Sequence, residues 1–113
     1  MFNPMRNNEQ RSQPRVTLEL PVTVSIGSQL SVKGQLKDLA VNSAFIKIKN
    51  SIYLNVNDEI GLAISDLPDD PDAQIQVTAR ISRIVPGEGF AVYFTGVDEE
   101  SLKYIKKFLP KDQ

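Results

Sequence analysis

The amino-acid sequence predicts a mainly β domain, an antiparallel barrel that ends in one helix. Three observations predict this fold class. Apolar and polar residues alternate with a period of two through much of the chain, which is typical of strands with one buried face. Turn-forming residues separate these stretches at short intervals. The last of them is followed by an amphipathic stretch with the period of a helix, and closure of the sheet into a barrel would protect its edges.

The alternation predicts five or six strands. The first runs from Val16 to Ile26, and every second residue in it is apolar. The turn residues Gly27 and Ser28 follow, so this strand and the next, which begins at Leu30, are expected to pair as a hairpin. Further apolar phases cover residues 44–48, 60–64, 75–81 and 90–94. The stretch 52–56 is either a loop or a minor strand.

Three places depart from the alternation. Pro21 has no backbone N–H to donate, so it is expected at an edge or a bulge. Residues 38–43 interrupt the pattern between the second and third strands. Arg83 falls in the apolar phase just before Ile84, which predicts either a bulge that turns Arg83 outward or the mouth of the barrel.

The final element is predicted to be a helix over about residues 98–109. Asp98 is a favourable N-cap, and the next two residues are glutamates, which suit the positive end of the helix dipole. Two lysines occupy the last turn, and Pro110 ends the helix. The apolar stripe of this helix needs a partner surface, so we expect it to cap one mouth of the barrel or to lie against its wall.

Residues 66–73 contain four aspartates and two prolines, a composition typical of a solvated connection. Their carboxylates could bind a hard cation. However, the segment lacks the glycine and the terminal glutamate of a calcium loop, so we predict no metal site.

At 113 residues the chain is expected to form a single domain. Residues 1–14 are rich in Asn, Gln, Arg and Pro and have no apolar period, so we predict a flexible arm there and a barrel with its helix over 15–113. The start of the chain has neither the basic region nor the apolar stretch of a secretory signal, and no run is long enough to span a membrane. A cytoplasmic location is therefore expected.

The composition disfavours several classes of function. The chain has no His and no Cys, so it lacks the commonest general base, the thiolate nucleophile and the usual zinc ligands. We predict no enzyme and no catalytic residue. A net charge of -1 argues against a broad surface for duplex DNA or anionic lipid. The absence of Trp, together with this charge, disfavours a module for single-stranded nucleic acid.

Two short polar motifs flank the first two strands. Arg11 and Arg15 lie four positions apart on a polar segment, and guanidinium groups can contact phosphates or a guanine edge. Asp38 opens the second motif, and its carboxylate can accept from the N–H edge of a guanine. The motifs together favour a receptor for an anionic, guanine-bearing ligand. Each also has an ordinary interpretation, a solvated basic arm and a turn in which Asp38 bonds its own backbone.

The arrangement of these motifs resembles that of a PilZ domain. The R-x-x-x-R spacing precedes the first strand, a D-x-[S]-x-x-[G]-like motif follows the second, and a Gly-Phe-Ala-Val-Tyr-Phe strand precedes the terminal helix. The resemblance covers about residues 10–109. It implies a six-stranded barrel that binds the bacterial second messenger cyclic di-GMP, without a cofactor, and that signals to a protein effector. In that family the arginine loop folds over the dinucleotide.

The resemblance also implies which residues bind the ligand. Arg11 and Arg15 would contact its phosphates and a guanine edge, and Asp38 would accept from guanine N–H groups. Arg83 matches a position that often packs on a guanine. The other positions of the implied site are Ala40, Asn42 and Ser43, with Gln10 as a secondary position.

Three of these positions depart from the family pattern. Ala40 replaces the serine of the second motif, and Ser43 replaces its final glycine, where the backbone can need a positive φ. Gln10 stands where many relatives carry another arginine, which favours one bound dinucleotide over an intercalated pair. An alternative follows from these departures: a degenerate PilZ module that binds no nucleotide and acts through protein contacts, in pilus or motility machinery.

Overall fold

The computed structural model describes residues 15–27, 30–48 and 54–109. These residues form six strands and one helix. The elements are β1 (Arg15–Ile26), β2 (Leu30–Ala40), β3 (Ser43–Lys47), β4 (Glu59–Ile64), β5 (Ile75–Val85), β6 (Gly89–Val97) and α1 (Glu99–Phe108). The prediction of a mainly β barrel with a C-terminal helix is confirmed.

The six strands close into a barrel in the order β1-β2-β3-β6-β5-β4. Every neighbouring pair is antiparallel, including β1 with β4, which closes the ring. β1 and β2 form the predicted hairpin. Because the ring closes, the strands within it pair on both sides.

The core lies inside the barrel and consists of the inward-facing apolar residues of each strand. Phe90, Leu36 and Ile46 are fully buried within it. Burying a side chain of this size contributes about 1.5–3 kcal/mol, so the inward phase of the alternation is the main stabilising feature of the fold. The core also takes Leu54 from a connecting segment, Leu67 from the loop before β5 and Ile105 from α1.

Bulges account for the breaks in the sequence pattern. The register shifts between Leu36 and Asp38, so β2 continues to Ala40 instead of ending near residue 37. The predicted break between the second and third strands, at residues 38–43, is therefore longer than the observed one, which separates Ala40 from Ser43. A second shift between Ile81 and Arg83 turns Arg83 to the outside, as one of the two predicted alternatives required. Pro21 follows a third irregularity, between Thr17 and Leu20.

The loop 66–73 differs from a purely solvated connection. Leu67 is only 2% exposed and belongs to the core, and the hydroxyl of Tyr104 in α1 donates to Asp70 Oδ2 at 2.9 Å. The segment thus fastens the barrel to the helix. Residues 55–58 form a tight turn, in which the backbone N–H of Asn55 donates to Asp58 Oδ2 at 3.0 Å.

Helix α1 begins as the sequence predicts. The backbone N–H of Ser101 donates to Asp98 Oδ1 at 2.8 Å, which makes Asp98 the N-cap. The hydroxyl oxygen of Ser101 accepts from the backbone N–H of Gln76 at 2.9 Å, so the helix is joined to the start of β5. Within the ranges described, no helix has the length and apolar character required to span a membrane.

Candidate functional site

The first residue of β1 and the end of β2 lie side by side. Arg15 pairs with Ala40 and Thr17 with Asp38, so the two polar motifs meet at one corner of the barrel. Arg15 Nη1 lies 3.8 Å from Asp38 Oδ1, and the two side chains are 58% and 24% exposed. A long and only partly buried pair of this kind contributes about 1 kcal/mol, so the guanidinium can leave the carboxylate when a better anion arrives.

Three more of the expected positions lie in or directly beside the turn between β2 and β3. Ala40 is buried at 1% exposure, Asn42 is exposed and Ser43 is half-buried. The carbonyl of Asn42 accepts from the backbone N–H of Phe94 at 2.9 Å, which fixes this turn against β6.

The serine at position 43 introduces no backbone strain here. Among the described residues, the non-glycine positions with positive φ are Asn57 and Asp66, both outside this turn. The turn therefore forms without the left-handed conformation that a glycine at position 43 could supply.

A row of outward-facing residues links this corner to Arg83. Asp38 pairs with Phe45, Phe45 with Ala91, and Ala91 with Arg83, across four neighbouring strands. At the usual spacing between strands, this row is about 14 Å long. Arg83 therefore belongs to the same outer face as Asp38 but is not in contact with it.

Phe45 stands between these two residues and was not expected from the sequence. Lys37 Nζ lies 5.5 Å and Arg83 Cζ lies 6.0 Å from the centre of its ring. Such distances are typical of cation–π contacts. The sequence holds the relevant signal, an aromatic residue in the outward phase of β3, between the buried Ala44 and Ile46.

The charges on this face favour an anion. Arg15, Lys37 and Arg83 surround the row, and Asp38 is the carboxylate among them. Three permanent or nearly permanent positive charges near one negative charge leave a local excess of positive charge on a chain whose net charge is -1. The attraction for anions is therefore local to this face.

Two predicted positions, Gln10 and Arg11, lie outside the described residues. The predicted flexible arm over 1–14 lies there as well. Arg15, Asp38, Ala40, Asn42 and Ser43 are brought together at one corner, and Arg83 is placed on the adjoining face. In the part of the chain that the structure covers, no group of three or more acidic side chains is placed to hold a metal ion.

The chain belongs to the PilZ domain family. The family model matches residues 9–110, and PilZ domains are a family of cyclic di-GMP receptors. The match covers both polar motifs, all six strands and the helix described above. A comparison with curated proteins found no match.

Solved structures with the same fold come from several bacteria. The chain is similar to the inhibitor of motility MotI/DgrA of Bacillus subtilis, with a TM-score of 0.75 and 11% identity over 87% of this chain and 48% of that one. It therefore spans about half the length of that protein. It is also similar to the PilZ domain of YcgR from Escherichia coli, solved with c-di-GMP, with a TM-score of 0.69 and 9% identity over 88% of each chain.

A third similar structure is the PilZ domain of CeSA from a cellulose-synthesizing bacterium. Here the TM-score is 0.64 and the identity 20%, over 84% of this chain and 93% of that one. At these identities the likeness establishes the fold.

Proposed function

We propose that this protein is a non-catalytic receptor for cyclic di-GMP that signals to a partner protein. The observation that carries the proposal is the meeting of the two motifs: Arg15 lies 3.8 Å from Asp38, although the two residues are 23 positions apart in the sequence. Membership of the PilZ family supports the choice of ligand.

In the proposed complex each charged residue has a distinct role. Arg15 leaves Asp38 and donates to a phosphate, where a charge-assisted hydrogen bond is shorter and stronger than a neutral one. Asp38, thereby freed, accepts from the N–H edge of a guanine. Arg11 then closes over the dinucleotide from the arm.

Phe45 and Arg83 extend the proposed site. A ligand that reaches from Asp38 to Arg83 passes over Phe45, since Phe45 lies between them in the row across the strands. The half-buried ring offers a flat apolar surface for a base, and the guanidinium of Arg83 offers a second plane for stacking.

The departures in the second motif weaken the site without removing its main contacts. Ala40 lacks a hydroxyl, and one neutral hydrogen bond is worth about 0.5–1.5 kcal/mol, up to roughly tenfold in affinity. Hydrogen bonds to charged groups are worth about 1.5–3 kcal/mol, and the arginines and Asp38 retain them. Binding is therefore expected to survive the replacements.

Calorimetry tests the proposal directly. We expect cyclic di-GMP to bind the full chain, and both Arg15→Ala and Asp38→Asn to weaken binding by tenfold or more, because each removes a hydrogen bond to a charged group. Lys103→Ala, an exposed cation on α1, is the matched control and should leave the affinity unchanged. Absence of heat at high micromolar ligand, or an unchanged affinity in Arg15→Ala, would refute the receptor function.

An amide NMR titration tests the geometry of the proposed complex. We expect shifts to cluster at residues 10–15 and 38–44 and to extend to Phe45 and Arg83. Binding without any change at residues 10–15 would contradict the closing of the arginine arm on the ligand.

A second candidate function rests on Ala40 and Ser43. Both depart from the family motif, and both lie at the turn beside Arg15, so the chain could be a degenerate module that acts through protein contacts alone, in pilus or motility machinery. The similarity to an inhibitor of motility supports this class of partner. The double change Ala40→Ser with Ser43→Gly separates the two functions. If it creates nucleotide binding that the native chain lacks, the second candidate is correct.

A further inference from the structure

A groove lies on the outer face of the barrel, next to the row that carries Phe45. It has a volume of about 630 Å³, and its walls include Lys33, Lys37 and Lys47 as well as Phe45 and Glu88. Lys33 and Lys37 share the outward phase of β2, and Lys47 stands on β3 opposite Gln35 between them. The register of two strands thus brings three lysines to one surface.

One side of the groove lies at the end of β3 and the turn before β6. On β6 the residue paired with Lys47 is Gly89. The turn before β6 forms the next wall, and the backbone N–H of Ile48 donates to the carbonyl of Glu88 at 3.0 Å, which holds that turn against the end of β3. The groove is therefore built on fixed backbone.

Its charge selects an acidic occupant. Three lysines line the groove against a single glutamate, on a chain whose net charge is -1. The described residues include no carboxylate within 4.0 Å of the Nζ of Lys33, Lys37 or Lys47. Carboxylates brought by a partner would meet a complementary potential, which raises both the rate and the specificity of association.

The shape of the groove selects a peptide segment. Phe45 and Ile48 add apolar surface to the lysines, so an occupant with one apolar side chain among its acids is favoured over a bare polyanion. Among the described residues, Lys33 and Gly34 of β2 pair with β1, and the pairing of β2 with β3 runs from Gln35 to Leu39. The lysines and Phe45 offer such an occupant side-chain contacts across the two strands.

We propose that this groove docks an acidic segment of a protein partner, with glutamates or aspartates around one apolar anchor that packs on Phe45. The inference goes beyond nucleotide binding. It depends on Lys33 and Lys47, which have no part in the proposed nucleotide site, and the groove adjoins that site only at Phe45 and Lys37.

A library of random twelve-residue peptides displayed on phage tests this proposal with the full chain as bait. We expect the recovered peptides to be rich in Glu and Asp around an aromatic or aliphatic residue. The double variant Lys33→Glu with Lys47→Glu should bind the recovered peptides with an affinity lower by tenfold or more. The control variant Lys103→Glu with Lys106→Glu makes the same change of charge on α1 and should bind them as the native chain does.

Three results would overturn the proposal. One is recovery of no acidic peptides, and another is equal binding of the recovered peptides by both double variants. The third concerns a different occupant. If the native chain bound a thymidine oligonucleotide more tightly than the recovered peptides, and Lys33→Glu with Lys47→Glu abolished that binding, the groove would be assigned to nucleic acid. If the double variant instead abolished self-association, the groove would be assigned to a second copy of this chain. Calorimetry with cyclic di-GMP on the same variant, which keeps Arg15 and Asp38, reports on the receptor function separately.

Discussion

Gly89 occupies a position that no other residue fits. Its φ is +156°, and a Cβ there would collide with the carbonyl of Ile46 on the neighbouring strand. The close approach of β3 and β6 at this point depends on the missing side chain.

Replacement of Gly89 should therefore destabilise the barrel. We expect Gly89→Ala to lower the free energy of unfolding by about 3 kcal/mol or more, since backbone strain and a steric clash add. Gly87→Ala is the matched control, because Gly87 also has a positive φ, of +79°, but its Cβ would meet no atom within 4 Å. In this control the free energy of unfolding should fall by only about 1–2 kcal/mol. Urea denaturation measures both changes, and equal losses would contradict the steric argument.

Some residues of the candidate site could be predicted from the sequence, and others could not. Arg15 and Asp38 could be named because they belong to two short polar motifs beside the strands, and Arg83 because the resemblance to the PilZ family implies it. Phe45 could not, because a residue in the outward phase of a strand shows its neighbours only when the cross-strand register is known. That register depends on the bulge between Leu36 and Asp38, which the alternation does not predict.

At the scale of elements, a buried serine connects the helix to the barrel. Ser101 is 3% exposed, and its hydroxyl oxygen accepts from the backbone N–H of Gln76. The same residue donates its own N–H to the N-cap Asp98. One residue thus contacts both the N-cap of α1, through its backbone N–H, and β5, through its hydroxyl.

Loss of that hydroxyl should weaken this contact. We expect Ser101→Ala to reduce the free energy of unfolding by about 1–3 kcal/mol, because the Gln76 N–H is left without its acceptor. Ser82→Ala is the control: that hydroxyl is exposed and donates to the carbonyl of Ala91 at 3.2 Å, so its loss should stay within about 0.5 kcal/mol. Thermal denaturation followed by circular dichroism compares them, and similar losses for both would show that the buried bond contributes little.

The loop 66–73 and the helix share a contact that responds to pH. The hydrogen bond from Tyr104 to Asp70 raises the pKa of the Tyr104 phenol above its usual 10.0, with desolvation and the charges of Asp70 and Glu100 acting in the same direction. The raised pKa means that the protonated phenol is favoured in the folded state. Its contribution to stability is complete below pH 10 and is lost as the pH rises through the folded pKa.

Removal of the carboxylate should lower that pKa. In a Tyr53→Phe/Tyr93→Phe background, so that Tyr104 alone titrates, we expect Asp70→Asn to move the pKa of Tyr104 down towards 10. Ultraviolet absorbance of the tyrosinate measures the shift. Asp69→Asn serves as the control, since Asp69 is not among the groups that act on this phenol. Titration curves that coincide for Asp70→Asn and its parent would rule out the contact.

Most strands of the fold could be predicted from the sequence. Alternation identified the strands because in each one the buried phase faces a single barrel interior. The loop 66–73 was harder to predict, because Leu67 stands alone among four aspartates, and its burial in the common core does not follow from any local period. Burial of an isolated apolar residue depends on tertiary contacts that periodicity does not encode.

At the scale of the whole molecule, one core joins every element. The cluster of buried residues includes side chains from the strands, from Leu54, from Leu67 and from Ile105 in α1. A small domain with a single core unfolds in one cooperative step.

We therefore expect the helix and the barrel to unfold together. Circular dichroism of the backbone and near-ultraviolet signals of the tyrosines should give coincident transitions in urea. Ile105→Ala should lower the free energy of unfolding by about 2–5 kcal/mol as seen by both probes, because it leaves a cavity between helix and barrel. Lys106→Ala, its exposed neighbour, is the control. Two separate transitions in the native chain would show that α1 is an independent unit.

The position of Arg15 at the very start of β1 also determines how Arg11 can act. Four residues of fully extended chain span at most about 14 Å, which limits the distance from Arg15 at which Arg11 can act. If the proposed complex forms, a tether this short gives the Arg11 guanidinium an effective concentration of millimolar order or higher at the bound dinucleotide. Inserting a long glycine-serine spacer between Arg11 and Arg15 would lower this effective concentration and leave the contacts on the barrel unchanged.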